Sequence, residues 1–203
     1  MKRSQRLLWV AFGAVMIALV GIALQRQFAV PPLPVLGTLG PFRLTNQLGA
    51  AVSPEQLQGS VVIANVIFSR CPGQCHRLSV QMARIQKATG DGIRLISLTA
   101  DPEFDAPAVL KEYGSRYGAL PERWWFLTGP KAEVYRVAEK DLLFTVLDTG
   151  EVSPRLDDRF IHSGNYVLLD RSGRIRSVVQ SEEPGSESRV VELAERLRRE
   201  SWP

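Results

Sequence analysis

Two kinds of hydrophobic pattern alternate along the chain after position 41. Residues 61–68 and 93–98 form runs of apolar, mostly β-branched residues, which are typical of strands covered on both faces. Weaker strand patterns lie at 42–45 and 124–127, and a hairpin is predicted from 166–169, the turn 170–173 and 175–179. Helical spacing and start signals predict helices at 53–59, from about 74 to 90, 105–117, 129–140 and 186–199.

The order β-α-β-α-β-α, hairpin, α predicts an α/β domain with a mostly parallel central sheet, an antiparallel edge hairpin and helices on both faces. This is the order of the thioredoxin fold. Residues 141–161 are the one long connection without clear periodicity, and connections of this length often carry function.

The N-terminus predicts a membrane anchor. Residues 7–24 are an uncharged apolar run of 18 residues, preceded by Lys2, Arg3 and Arg6. That length suffices for a helix to cross a bilayer, and the basic flank should stay in the cytoplasm. The alternative is a cleaved signal peptide, because Gly21-x-Ala23 resembles a cleavage site. Both interpretations place the rest of the chain outside the cytoplasm.

Proline and glycine then mark a linker. We predict an anchor at 1–27, a linker at 28–41 and a thioredoxin-like domain at 42–203. Four of the 25 basic residues lie in the first 27 positions, which contain no acid, so the exported part is electrically neutral. The basic surface that nucleic-acid binding requires is therefore missing.

The only two cysteines, Cys71 and Cys75, lie where the strand at 61–68 passes into its helix. A helix N-terminus stabilises thiolates, so we expect lowered thiol pKa values here. The four-residue spacing brings the two sulfurs close enough for a disulfide or a shared metal ion. A purely structural disulfide is the alternative, but its small loop would stabilise the fold little.

Two histidines extend the candidate site. His76 follows Cys75 and is expected on the helix surface, with a ligand role as the alternative. His162 precedes the hairpin, and in a thioredoxin fold the loop entering that hairpin packs against the cysteine turn. A lone histidine is ordinarily a satisfied loop or core residue, but this position makes His162 a candidate ligand. Two thiolates and one imidazole favour copper, whereas structural zinc usually takes four ligands.

The chain resembles the Sco/SenC family of membrane-tethered, thioredoxin-like copper chaperones. The resemblance covers 41 to about 179 and rests on the cysteine segment, on LTADPE at 98–103 followed by Asp105, and on His162 with YxLLDxxG at 166–173. It implies that Cys71, Cys75 and His162 bind copper. It also implies delivery of copper to, or reduction of the cysteines of, the dinuclear copper centre of cytochrome c oxidase. The family often has proline where this chain has His76.

Four further residues have a structural and a functional interpretation. Asp105 is predicted to cap the helix that begins near Pro107. Asp101 should lie on the same sheet edge as the cysteines, where the resemblance implies that it orients the site or a partner. Trp124 and Trp125 are interpreted as packing residues rather than a recognition surface.

The sequence therefore predicts a binding and assembly protein rather than a turnover enzyme. Its partners would be the copper-accepting subunit of cytochrome c oxidase, or another exported copper protein, and the membrane. The main alternative is an exported thiol–disulfide oxidoreductase, although the cysteine spacing is CxxxC rather than CxxC. A peroxide-reducing thioredoxin relative has only fold-level analogy in its favour.

We expect the domain after Gln27 to face outward from the cytoplasmic membrane and to stay tethered, because the basic flank of an uncleaved apolar helix remains inside. Protease added to spheroplasts should digest the domain. Protection from the protease, or a soluble form lacking about the first 23 residues, would contradict this prediction.

Overall fold

The computed structural model describes residues 5, 9, 11–17, 19–20, 31–71, 73–149, 160–162 and 164–200, with the backbone alone at 160–162. Residues 34–203 form one compact unit and residues 1–33 another. In the N-terminal unit the described residues up to position 20 are helical. No helix built from described residues has the length and hydrophobicity needed to cross a membrane. Much of the predicted anchor at 7–24 lies outside those residues, so it stays a prediction.

An eight-stranded sheet forms the centre of the larger unit. Its strands are β1 (Gly37–Thr38), β2 (Leu44–Asn46), β3 (Ala51–Val52), β4 (Val61–Ile67), β5 (Ile93–Thr99), β6 (Trp124–Thr128), β9 (Asn165–Leu169) and β10 (Arg174–Gln180). They are arranged in the order β1-β10-β9-β4-β5-β6-β2-β3. Among hydrogen-bonded neighbours in this sheet, only the pairs β4–β5 and β5–β6 are parallel, and the other five pairs are antiparallel. The prediction of a mostly parallel sheet is therefore wrong, because short strands and the hairpin add antiparallel partners on both sides of the parallel centre. Every residue of β4 is buried, as its continuous apolar run predicts.

The helices begin and end close to where the sequence predicts them. They are α1 (Gln74–Ala88), α2 (Pro107–Arg116), α3 (Lys131–Arg136), which continues as a π-helical turn (Val137–Asp141), and α4 (Ser186–Arg199), with a short 3-10 helix at Pro54–Gln56. Helix α1 packs against α4. Tyr113 of α2 meets Ser79 of α1, with their hydroxyl oxygens 2.8 Å apart. This contact fixes α2 beside the helix that carries Cys75.

The strands that pair at the sheet margins differ from the sequence-based expectation. The hairpin β9–β10 is not an edge pair, because β1, which lies inside the predicted linker, pairs antiparallel with β10. Within the predicted connection at 141–161, β7 (Val146–Asp148) pairs with β8 (Phe160–His162) in a separate two-stranded sheet. Strands of two or three residues show no alternation in sequence, so only their partners reveal them.

The topology brings the functional segments to one edge of the sheet. Parallel strands β4 and β5 end side by side, with Ile67 opposite Thr99. Strand β9 runs antiparallel to β4, so it begins at the edge where β4 ends. The cysteine turn after β4, the loop after β5 and the entry to the hairpin therefore converge, as expected for an α/β sheet.

Candidate metal and redox site

The two cysteines differ in environment because one lies in a turn and the other in a helix. Both are thiols in this structure. Cys71 lies in the turn before α1 and is half-buried, whereas Cys75 is the second residue of α1 and is fully buried. The Cys75 N–H donates to Cys71 Sγ at 3.4 Å. This contact joins the two residues across the start of the helix.

Burial controls the protonation of Cys75. It raises the pKa of the Cys75 thiol well above its ordinary value, and the neighbouring Cys71 adds to the increase. The Phe68 N–H donates to Cys75 Sγ at 3.4 Å and opposes this effect only in part. For Cys75 the expectation of a lowered thiol pKa at a helix N-terminus is therefore wrong, because lost solvation outweighs the helix dipole.

The cysteine turn is attached to the loop after β5 through the buried carboxylate of Asp105. This carboxylate accepts hydrogen bonds from the Ser69 N–H at 3.1 Å, from the Ser69 hydroxyl and from the Thr99 hydroxyl. Burial nonetheless raises the pKa of the Asp105 carboxyl, because these bonds offset only part of the lost solvation. The predicted N-cap role is wrong. Ala106 occupies the N-cap of α2, and the Asp105 side chain bonds across the sheet edge instead.

A second attachment lies one residue further along the turn. Arg70 Nη2 donates to Asp101 Oδ2 at 2.5 Å, and the Arg70 guanidinium carbon lies 4.0 Å from the centre of the Phe104 ring. Asp101 is almost fully buried. It occupies the predicted sheet edge, where its observed partner is the residue before Cys71.

The entry to the hairpin contacts the start of α1. A Cβ on Gly164 would lie 2.5 Å from Gln74 Nε2, so the backbone there lies directly against the Gln74 side chain. Gln74 precedes Cys75, and Gly164 follows His162 by two residues. The His162 backbone belongs to β8, opposite Val146. Its imidazole lies outside the described side chains, so its role as a ligand stays a prediction.

His76 and the two tryptophans lie where the sequence predicts them, on the helix surface and in packing contacts respectively. His76 is exposed, and its Nδ1 lies 3.1 Å from the Tyr117 hydroxyl oxygen. Trp124 is buried and donates through Nε1 to Ser97 Oγ at 2.9 Å. Trp125 carries the Arg94 guanidinium 3.8 Å from its ring centre, which is a packing contact. Among the described side chains, which exclude His162, no three His, Cys, Asp or Glu residues form a metal-binding cluster.

A family model for SCO1/SenC proteins matches residues 35–198, which include the cysteine turn, the loop after β5 and the hairpin. The chain belongs to the SCO1/SenC family. The SCO1 protein homolog of Bacillus subtilis (strain 168) is 33% identical over 139 residues, which are 66% of this chain and 69% of that protein. Against the mitochondrial proteins SCO2 and SCO1 of Saccharomyces cerevisiae, the chain spans about half of their length, 45% and 47%.

Solved structures of the family share the fold. Yeast Sco1 with copper bound superposes with a TM-score of 0.65 at 27% identity, over 83% of this chain and 91% of that one. BsSco, described as a member of the Sco family of cytochrome c oxidase assembly proteins in which a disulfide switch was identified, gives 0.67 at 25% identity, over 84% and 100%. These similarities confirm the predicted thioredoxin-like α/β fold of the Sco family.

The residues that hold the cysteine turn are the part of the site that sequence analysis missed. Ser69, Arg70 and Phe104 have no motif of their own, and the side-chain partners of Ser69 and Arg70 lie 36 and 31 positions away. Thr99 lies within the LTADPE segment, but its hydrogen bond to Asp105, 6 positions on, was not predicted. The signal that could have identified these residues is topological, because polar residues follow the ends of two adjacent parallel strands.

Replacing Asp105 with alanine should lower the free energy of unfolding by about 3 kcal/mol, because buried donors of Ser69 and Thr99 lose a charged acceptor. Loosening the turn should also speed alkylation of Cys75. Chemical denaturation and timed alkylation measure the two effects. Asp91→Ala at an exposed turn is the control, and should stay within about 0.5 kcal/mol of the unmodified chain. Equal losses in both variants would contradict the assigned role of Asp105.

Proposed function

We propose that this chain is a copper-binding assembly protein that holds copper through Cys71, Cys75 and His162. The observation that carries the proposal is the convergence at one sheet edge. There the Cys75 nitrogen lies 3.4 Å from Cys71 Sγ, and the backbone of Gly164, two residues after His162, lies against Gln74, the residue before Cys75. Yeast Sco1, which shares the family and fold, has been solved with copper bound.

The donor types fit copper better than other common metals. Two sulfurs suit the soft Cu(I) ion, and an imidazole nitrogen lets the same site accept Cu(II). The buried thiol of Cys75 must lose its proton to serve as a ligand, so binding is coupled to proton release. A soft ion that bonds strongly to sulfur offsets the desolvation cost of a buried thiolate best, which favours copper over harder divalent cations.

The recipient that we propose is the copper-accepting subunit of cytochrome c oxidase. The chain would deliver copper to the dinuclear copper centre of that enzyme or reduce its cysteines, and would not itself be a turnover enzyme. The support is family membership, since BsSco is described as belonging to a family of cytochrome c oxidase assembly proteins. We further propose that one N-terminal helix tethers the domain to the outer face of the cytoplasmic membrane, on the basis of the apolar run at 7–24.

Thiol–disulfide exchange is the second candidate function, and the unequal exposure of the cysteines favours it. Half-buried Cys71 is accessible to a partner sulfur, whereas Cys75 is fully buried and lies beside Cys71, whose Sγ accepts from the Cys75 N–H. In such an exchange Cys71 forms the mixed disulfide, and Cys75 then displaces the partner. This activity would be an accessory to copper handling rather than a separate role.

Copper should bind only to the reduced chain, because the thiolate rather than the disulfide is the ligand. We expect about one copper ion per reduced chain, and little when Cys71 and Cys75 are oxidised to a reversible disulfide. Metal analysis together with alkylation-shift gels measures both. Cys71→Ser and Cys75→Ser should each abolish binding. Equally tight binding to the oxidised chain would exclude the thiolate site.

Replacing His162 with alanine should weaken Cu(II) binding by at least about tenfold while leaving part of the Cu(I) affinity, because Cu(II) needs a nitrogen donor that Cu(I) can dispense with. Competitive titration of each oxidation state, with the thiolate-to-Cu(II) absorption band, gives the measurement. His76→Ala is the matched control and should change little. If the band survives in His162→Ala and disappears in His76→Ala, the third ligand is His76.

A further inference from the structure

The segment from Ser69 to Cys71 is held by two neighbouring contacts to a single loop. Ser69 donates hydrogen bonds to the Asp105 carboxylate, and the Arg70 guanidinium lies between the Asp101 carboxylate and the Phe104 ring. We propose that Arg70 is a positioning residue, whose ion pair with Asp101 sets where Cys71 lies relative to Cys75 and thereby sets the balance between dithiol and disulfide. The copper-related part of this inference rests on the proposed function, whereas the disulfide part needs no copper.

The loop that holds Arg70 is itself well fixed. The Asp101 N–H donates to Thr99 Oγ1 at 2.9 Å, and the Asp101 carbonyl accepts from the Asp105 N–H at 2.8 Å and from the Phe104 N–H at 3.1 Å. The Asp101 side chain is 3% exposed and that of Arg70 32%. A buried carboxylate with one close guanidinium partner resists separation, because removing that partner leaves an uncompensated charge. The pair is therefore a stable anchor for the turn.

The two cysteines respond differently to this anchor. Cys75 is fixed by the helix and by burial, so only Cys71 can change its position when the turn moves. In the dithiol structure the anchored turn places Cys71 Sγ 3.4 Å from the Cys75 N–H. If the anchor is removed, the turn is less restricted to this arrangement. An interaction that favours the dithiol arrangement shifts the equilibrium away from the disulfide, and its loss shifts the equilibrium back.

Phe104 supports the same conclusion. Its side chain is 43% exposed although large and apolar, and its ring lies beneath the guanidinium. Stacking on a ring restricts a flexible arginine to one orientation, which an ion pair alone does not do. Ion pair and ring together hold the side chain of the residue next to Cys71.

The reaction to measure is disulfide exchange with dithiothreitol. The Cys71–Cys75 disulfide accepts two electrons and two protons to give two thiols, and dithiothreitol is oxidised to its cyclic disulfide. Arg70→Gln should shift the equilibrium constant about tenfold toward the protein disulfide, which is about 30 mV for this two-electron couple. Cu(I) affinity, titrated against a competing chelator, should fall in the same variant.

Asp101→Asn separates position from charge. If the ion pair positions the turn, Asp101→Asn shifts the equilibrium in the same direction as Arg70→Gln, and the double variant is no worse than either single one. If Arg70 acts by charge alone, Asp101→Asn leaves that charge uncompensated and shifts the equilibrium in the opposite direction, which overturns the proposal. Phe104→Leu, at a partly exposed position, gives a milder shift in the same direction and covers the case in which a charge variant fails to fold.

Arg116→Gln is the matched control. Its guanidinium also makes a 2.5 Å ion pair, with Glu112 on the exposed face of α2, and its replacement should leave both readouts unchanged. Lower thermal stability of Arg70→Gln with an unchanged disulfide equilibrium would reduce Arg70 to a structural residue and overturn the inference. A chain that exchanges its disulfide normally but binds no copper would contradict the proposed function. The exchange measurements would still test the role of Arg70 in that case.

Discussion

The buried carboxylate of Asp105 is the constraint on which the geometry of the cysteine turn depends. A carboxylate removed from water is costly unless donors surround it, and here the donors come from Ser69 and Thr99, at the ends of two adjacent parallel strands. The Ala100 N–H extends the same strand pairing by donating to the Ile67 carbonyl at 2.7 Å. The turn that carries Cys71 is thus held by the neighbouring strand's loop as well as by its own residues.

The proposed ligands come from three elements whose constraints differ. Cys75 is part of a helix that packs on the sheet, Cys71 belongs to a turn held at its side by Ser69 and Arg70, and His162 ends a short strand outside the main sheet. Under the proposed function the chain must hold copper and later release it to the ligands of another protein. Because Cys75 lies on a fixed helix while Cys71 and His162 lie on separately attached segments, one ligand–copper bond can be exchanged while another is kept.

The structure of a segment is predictable from the sequence where the segment's own hydrophobic pattern determines it. The runs at 61–68 and 93–98 became β4 and β5, and α4 spans the predicted 186–199, because strong periodicity marks such elements. The structure of a segment is not predictable in this way where it depends on a partner far away in the sequence. Strands β1, β7 and β8 are too short to show a pattern. Asp105 fits the local signature of a helix cap, yet it bonds to Ser69, 36 positions away. No local signal distinguishes those two roles.

The pKa of the Cys75 thiol is likewise not predictable from the local sequence. A helix N-terminus alone favours the thiolate, but full burial reverses that preference and keeps the resting thiol neutral. Under the proposed function this reversal aids selectivity. A neutral buried thiol has little attraction for hard cations, and it gives up its proton only to an ion whose bond to sulfur is strong enough to compensate. Cu(I) is such an ion, and with two thiolates it leaves a single negative charge. The local dipole predicts a reactive cysteine, whereas the packed structure makes Cys75 unreactive until the right metal or a disulfide at Cys71 engages it.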